Sequence, residues 1–200
     1  MGKELEFNMK NVAIMDALPH HNWDKKILEV GCGDGNLSLC LRSLGCNIYA
    51  TDIKKYDTWD RWKDNEYLTL TFHISDIFDL SSFPVKSASV VIASQVLEHL
   101  SNWKLALVHL IALAGVRLII TVPYCRSFFS PGHINFWDDA IPRATPGQLP
   151  DRLFKDIQEF TKLCKPFSTS ITKIRTKPKD VKMGQYAYLI VVDKRQGLNS

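Results

Sequence analysis

Lys26-Ile27-Leu28-Glu29-Val30-Gly31-Cys32-Gly33-Asp34-Gly35 is the stretch whose reading settles the fold class. Five residues of strand character run straight into glycines at alternate positions, 31, 33 and 35. Behind them Asn36 to Leu44 carries leucines at 37, 39, 41 and 44, with Gly45 as a stop. The stretch therefore reads as strand, tight turn and helix. Glycine belongs where a chain turns sharply and where backbone must approach a ligand closely. A dinucleotide fold asks for G-x-G-x-x-G at this turn. Here Asn36 stands at the third dinucleotide position, and no Gly-Lys-Ser/Thr follows, which excludes a P-loop.

The alternation continues outward from the turn. Cys46 to Thr51 predicts a second strand ending at Asp52, Leu70 to Ile74 a third ending before Asp76, and Ser89 to Ala93 a fourth bounded by Ser94. Trp103 to Ala114 predicts a helix and Arg117 to Val122 a fifth strand ending at Pro123. Strands apolar on both faces and separated by helices indicate a parallel sheet covered on both sides. In the tail, Phe167 to Thr176 alternates and Tyr186 to Val192 is a strong β run. Together they predict a hairpin that joins the sheet edge in antiparallel sense. The expected class is α/β, a single doubly wound sheet, mostly parallel, within one domain over residues 1–200. Residues 1–22 are expected to be a helical cover. Residues 123–152, rich in proline and aromatics, leave the carboxyl end of the fifth strand, where open α/β sheets bind ligands. They are expected to form a substrate loop or lid, the alternative being an apolar patch packed on the sheet.

Composition removes other classes. A 200-residue chain that is 46% hydrophobic and 23% charged is an ordinary globular mixture with little room for disorder. Net charge of +4 is too mild to declare nucleic-acid binding, although Lys162 to Lys182 holds seven basic residues against Asp180 alone. Lys173, Arg175 and Lys177 would share one strand face there, which is usually just solvated. The five cysteines form no C-x-x-C pair, which argues against a zinc ribbon or disulfide framework and for a reducing compartment. Met1 to Lys10 is charged and lacks the apolar core of a secretory signal, so the expected location is the cytoplasm. Leu105 to Val122 is apolar, but Ala114-Gly115 interrupts it and Arg117 would sit near a bilayer centre, so no membrane span is expected.

E-x-G-x-G-x-G after a first strand resembles motif I of the class I S-adenosylmethionine-dependent methyltransferases, which have a Rossmann-like sheet. The resemblance covers roughly residues 25 to 125. It implies S-adenosyl-L-methionine as cofactor, with S-adenosyl-L-homocysteine as product. The loop of Gly31, Cys32, Gly33 and Gly35 would wrap the methionine part, and Glu29 would orient its amino group. Asp52 lies 21 residues beyond Gly31, at a strand end where a carboxylate can accept ribose hydroxyls, with a helix cap as the alternative. Ile53 would lie against the adenine. Asp76 matches an acid near the adenine amino group, with the Ile77 amide at the ring, and a turn role is its rival. Ser94 and Gln95, at the end of the fourth strand, complete the expected cofactor site.

Ser94-Gln95-Val96-Leu97-Glu98-His99-Leu100 resembles the x-x-L-E-H stretch of small-molecule and ubiquinone-type methyltransferases. The D/N-P-P-Y/F sequence of amino-methylating nucleic-acid enzymes is absent. The expected activity is methyl transfer to an oxygen or nitrogen of a small-molecule acceptor by in-line displacement. Alignment supplies most of that acceleration, and a base is needed only where the acceptor must lose a proton. His133, in Pro131-Gly132-His133-Ile134-Asn135-Phe136-Trp137, is the catalytic candidate, since a neutral imidazole takes a proton near pH 7. A loop-pinning role is its alternative. A competing resemblance is to small-RNA 3′-terminal 2′-O-methyltransferases, which carry E-x-x-E-H and a later histidine around a divalent metal. Glu98, His99 and His133 match, but Gln95 replaces the first acid, and losing an anionic ligand weakens a hard-metal site. No metal is therefore expected. A nicotinamide oxidoreductase is disfavoured by the glycine spacing, and a non-catalytic cofactor-binding subunit is a further alternative. The oligomeric state is left open.

Overall fold

The computed structural model describes residues 7–19, 26–63, 70–85, 87–124, 132–138, 154–176 and 186–194. Most of the expected 123–152 loop, including Pro131, lies outside them, as do the hairpin turn 177–185 and Cys125. The sheet is built from β1 (Lys26–Val30), β2 (Asn47–Asp52), β3 (Phe72–Ile74), β4 (Ala88–Ser94), β5 (Ala114–Pro123), β8 (Ser168–Arg175) and β9 (Tyr186–Asp193). Strand order is β3-β2-β1-β4-β5-β9-β8. The first five strands pair in parallel, while β9 pairs antiparallel with both β5 and β8. The expected mostly parallel α/β sheet with an antiparallel C-terminal pair is what the chain forms.

Alternation along the strands splits the core in two. Leu28, Val91 and Ile120 pack on one face with α4 (Trp103–Leu113). Ile27, Ile92 and Ile119 pack on the other with Leu37, Leu39 and Leu41 of α2 (Asn36–Ser43) and Ile14 of α1 (Met9–Asp16). Trp59, on α3 (Thr58–Lys63), joins this second face by stacking on Phe72 at 4.8 Å between ring centroids. No helix among the described residues is long and apolar enough to cross a membrane. The apolar run from Leu105 is instead α4 passing directly into β5 at Ala114, with no intervening turn at Ala114-Gly115. Lys194 ends that helix by donating to the carbonyls of Ile111 and Ala114 at 3.1 and 2.6 Å. Arg117 pairs with Asp193 on the neighbouring strand at 2.6 Å.

Two elements were not anticipated. β6 (Phe136–Asp138) and β7 (Phe154–Asp156) form a separate parallel pair. Trp137 from β6 is fully buried, edge-on to Trp103 and beside Phe160 of α5 (Glu159–Leu163). β6 is thus anchored over α4. The third strand is also shorter than expected and begins at Phe72.

The order places β1 and β4 side by side although β2 and β3 intervene in sequence. Chain direction across the sheet reverses between them, and a crevice opens at their carboxyl ends. Gly35 starts α2 from that crevice at φ +85, and a Cβ there would stand 2.6 Å from the Phe72 ring. Gly45 has φ +86 with nothing within 4 Å. Left-handed backbone costs an L-residue roughly 1–2 kcal/mol, and overpacking against a ring adds about 1–3 kcal/mol. Gly35→Ala is therefore expected to cost about 2–5 kcal/mol in urea unfolding and Gly45→Ala about 1–2 kcal/mol. Equal losses would contradict the ring contact.

Candidate active site

The turn after β1 is fixed by its own amides. The N–H groups of Gly31 and Cys32 both donate to the Thr51 carbonyl, at 2.8 and 2.9 Å. The Gly33 N–H donates to Asp52 Oδ2 at 2.8 Å, so the carboxylate at the end of β2 braces the loop. From outside, Trp59 Nε1 donates to the Gly33 carbonyl at 2.8 Å. Gly31 (φ +75) and Gly33 (φ +54) both occupy the left-handed region. A Cβ on Gly31 would collide with Val96 at 2.4 Å, whereas one on Gly33 would meet nothing within 4 Å. Glycine at 31 thus serves close packing, and Gly33 leaves open space beside the loop.

That space is a cleft of about 480 Å³. It is walled by Gly31, Cys32, Gly33, Asp52, Ile53, Asp76, Ile77, Ser94 and Gln95 of the expected set, and also by Tyr56, Phe78 and His99. Ile53 and Phe78 are exposed, 64% and 41%, and offer apolar surface to a flat ring. Asp76 lines the cleft, and its Oδ1 accepts from the Phe78 N–H at 2.9 Å, the contact of its alternative turn role. At the end of β4, Gln95 adopts φ +60, a left-handed backbone rare outside glycine. Its side chain and Ser94 Oγ both bond Thr121 Oγ1, at 3.3 and 2.9 Å.

Three expected residues lie elsewhere. Gly35 is not among the residues that wall this cleft, and it packs on Phe72. Glu29 is buried and faces a second cavity of about 220 Å³, which shares Gly31, Cys32, Asp34 and Ser94 with the cleft and is also walled by Lys10, Asn11 and Asn36. Ser38 Oγ donates to Glu29, yet burial pushes the carboxyl up to about 7. Burial also drives the Cys32 thiol far above its ordinary range, so it is no nucleophile at neutral pH. His133 lies behind the cleft wall, with its ring centroid 4.9 Å from that of His99 and nearly edge-on.

A clamp invisible in the sequence positions His133. Ile134 and Asn135 N–H groups donate to the Glu98 carbonyl at 2.8 and 3.1 Å. Asn135 Nδ2 donates to the carbonyls of Leu97 and Leu100 at 3.0 and 2.7 Å. His99 Nδ1 lies 2.8 Å from the Gly132 carbonyl, to which it must donate. Burial and the neighbouring His99 hold His133 below its ordinary value, so its imidazole is neutral at pH 7. Potential ligand atoms of Glu98, His99 and His133 all lie within 4.8 Å of one another. Glu98 is buried with no hydrogen bond to either carboxylate oxygen, and burial raises it to about 8. Lys10 and Asn135 carry no sequence signal, because the groups they meet lie far along the chain.

A family model described as a methyltransferase domain matches residues 8–164. A ubiquinone biosynthesis O-methyltransferase from Rickettsia akari (strain Hartford) is 28% identical over 146 residues, covering 70% of this chain and 53% of the relative. The chain thus spans about half the length of that curated relative. Among solved structures, a magnesium protoporphyrin IX methyltransferase from Synechocystis PCC 6803 with bound SAM matches at TM-score 0.60 and 18% identity, covering 92% of this chain and 75% of that one. A 1,6-didemethyltoxoflavin-N1-methyltransferase from Burkholderia thailandensis matches at TM-score 0.62 and 15% identity, over 92% and 76%. At these identities the structural matches speak for the fold.

Glu29 supplies a test of the site's electrostatics. Its folded value of about 7 lies above the ordinary 4.5, so the folded state holds a proton that the unfolded state has lost between them. That contribution to stability is complete below about pH 4.5 and disappears as pH rises through about 7. Glu29→Gln should therefore gain stability relative to wild type between pH 5 and 8, by on the order of 1–3 kcal/mol. A difference independent of pH would contradict the burial of an ionisable Glu29.

Proposed function

The chain belongs to the methyltransferase-domain family of class I S-adenosylmethionine-dependent enzymes, and on that premise we propose that it methylates an oxygen or nitrogen of a small-molecule acceptor by in-line displacement. The observation that carries this reading is the braced glycine turn, with open space at Gly33 and the Asp52 carboxylate beside it at the β1/β4 switch. These residues fit the cofactor. The glycine loop gives close approach, Asp52 accepts ribose hydroxyls, Ile53 and Phe78 cover the adenine, and Asp76 with the Ile77 amide meets its edge. Ser94 and Gln95 close the cleft from β4. Glu29 orients the amino group from the adjoining cavity.

S-adenosylmethionine supplies a methyl group on a cationic sulfur, already activated for displacement. The protein's task is alignment, exclusion of water and, for a protonated acceptor, removal of one proton. Neutral His133, held against His99 by the Asn135 clamp, is the proposed base. The segment 132–138, with Trp137 anchored on Trp103, carries it toward the acceptor side. A small acceptor is supported by the substrates in the relatives' names and by the mild net charge. The cysteines among the described residues are buried free thiols, which supports a reducing compartment, hence the cytoplasm.

The Glu98–His99–His133 cluster favours one second reading, metal-assisted 2′-O-methylation of a terminal ribose in RNA. The three side chains would hold a divalent cation that draws a hydroxyl toward ionisation. Chelator-sensitive turnover of ribose-terminated RNA would select it.

Calorimetry with S-adenosylhomocysteine tests the primary reading. Wild type and His133→Ala are expected to bind at micromolar concentration, Asp52→Ala to lose about tenfold or more, and NADH to be inert. His133→Ala should then show turnover lowered about 10²–10⁴-fold. Folded wild type that ignores S-adenosylhomocysteine, or prefers NADH, would overturn the reading.

A further inference from the structure

The glycine turn is held by β2 through its amides and by α3 through its carbonyls. Trp59 Nε1 donates to the Gly33 carbonyl at 2.8 Å, and Thr58 Oγ1 donates to the Asp34 carbonyl at 3.0 Å. The donors are themselves fixed. Trp59 is buried, and its ring stacks on Phe72 with 10° between the planes. Its backbone N–H donates to the Tyr56 carbonyl at 3.0 Å, and Tyr56 walls the cleft. Upstream, the Lys54 backbone N–H donates to Asp52 Oδ1 at 3.5 Å, while Oδ2 takes the Gly33 N–H. The chain from Asp52 to Trp59 therefore leaves the cleft wall at one end and clasps the glycine turn at the other.

The clasp acts on the peptide between Gly33 and Asp34. Gly33 has φ +54 and nothing within 4 Å of the place a Cβ would take. Glycine tolerates both senses of backbone, so neither a side chain nor local packing stops this peptide from turning over. Asp52 fixes the Gly33 N–H, which belongs to the peptide before it. The Gly33 carbonyl is held by the indole, with the Cys32 thiol a distant 3.9 Å away. Because the peptide is trans, the Asp34 N–H is turned the opposite way, away from the indole. A flip would exchange the two and aim a carbonyl oxygen where an amide now points. We propose that Trp59, seconded by Thr58, is a positioning residue for the cofactor, locking this peptide so that the turn meets its ligand already in the binding conformation. This rests on the cofactor reading above. Neither residue walls the cleft or the adjoining cavity, so both act through the turn. A turn that sampled both orientations would bind in one of them, and its apparent affinity would fall by that fraction.

Three variants separate this role from support of the fold. Trp59→Phe keeps a ring to stack on Phe72 and removes the donor, and Thr58→Val removes the second donor at nearly constant shape. Gly45→Ala, remote from the turn, is the control for lost stability alone. Two readouts are taken: hydrogen exchange over residues 31–35 without ligand, and calorimetric titration with S-adenosylhomocysteine. Trp59→Phe should quicken exchange in the turn at least about threefold relative to the amides of β4. It should also weaken S-adenosylhomocysteine about 3- to 15-fold, and Thr58→Val about 3- to 10-fold. Gly45→Ala should hold both readouts within about twofold of wild type. Trp59→Phe with less than a threefold loss of affinity would overturn the proposal. Equal weakening by Gly45→Ala would overturn it too, and reduce Trp59 to a support of the fold. Wild type that does not bind S-adenosylhomocysteine would fail the cofactor reading. Unchanged exchange over 31–35 in ligand-free Trp59→Phe overturns the positioning role by itself, whatever the ligand.

Discussion

Three consecutive amides at the end of β1 hold the structure's functional edge together. Gly31 and Cys32 donate to one carbonyl of β2, and Gly33 donates to the carboxylate one residue further on. Those bonds force the chain through left-handed backbone at Gly31 and Gly33. They set where α2 starts, and they leave the open space beside Gly33. Parallel sheets bind ligands where the strand order reverses, but the reversal only supplies a crevice. The amide-to-β2 bonds make that crevice deep enough for backbone to meet a ligand. Asp52 has a double duty as a result: one oxygen braces the loop while the side chain borders the cleft.

Electrostatics divide the edge into two regions of different character. The cleft past Asp52 is edged by exposed apolar side chains, Ile53 and Phe78, suited to a flat ring. The cavity behind the glycine turn gathers Glu29, Asp34 and Lys10 with asparagines. Glu29 sits in a strand buried on both sides, where a carboxylate is costly. Burial there raises its affinity for a proton. A partner cation would restore its charge, and that is the role proposed for the cofactor's amino group. On the far side, the turn carrying Glu98 and His99 and the segment carrying His133 and Asn135 are locked by main-chain carbonyls, which fixes the two imidazoles against each other.

Legibility in the sequence followed the range of the interactions. Strands β1, β2 and β4 declare themselves by apolar runs, and the glycines at 31, 33 and 35 by their spacing after one of those runs. Asp52 was readable because its position depends only on strand length. The C-terminal hairpin was readable from its alternation. Gly35 shows the limit of spacing, since its need for glycine comes from the Phe72 ring far along the chain. Lys10 looks like a solvated helix residue until α1 docks on the sheet. Asn135 looks like loop filling until its amide is seen to bridge Leu97 and Leu100. His133 was legible as a histidine beside an aromatic pair, but its place behind His99 was not. Pairings that depend on tertiary docking leave no local pattern.

The central claim is that one molecule spans both spaces along the glycine turn. A crystal structure of the chain soaked with S-adenosylhomocysteine measures this directly. The predicted result is density with the adenosine between Ile53 and Phe78, ribose hydroxyls on Asp52, and the amino group at Glu29. Density at another site, or an adenosine whose amino-acid end points away from Glu29 at full occupancy, would contradict the account.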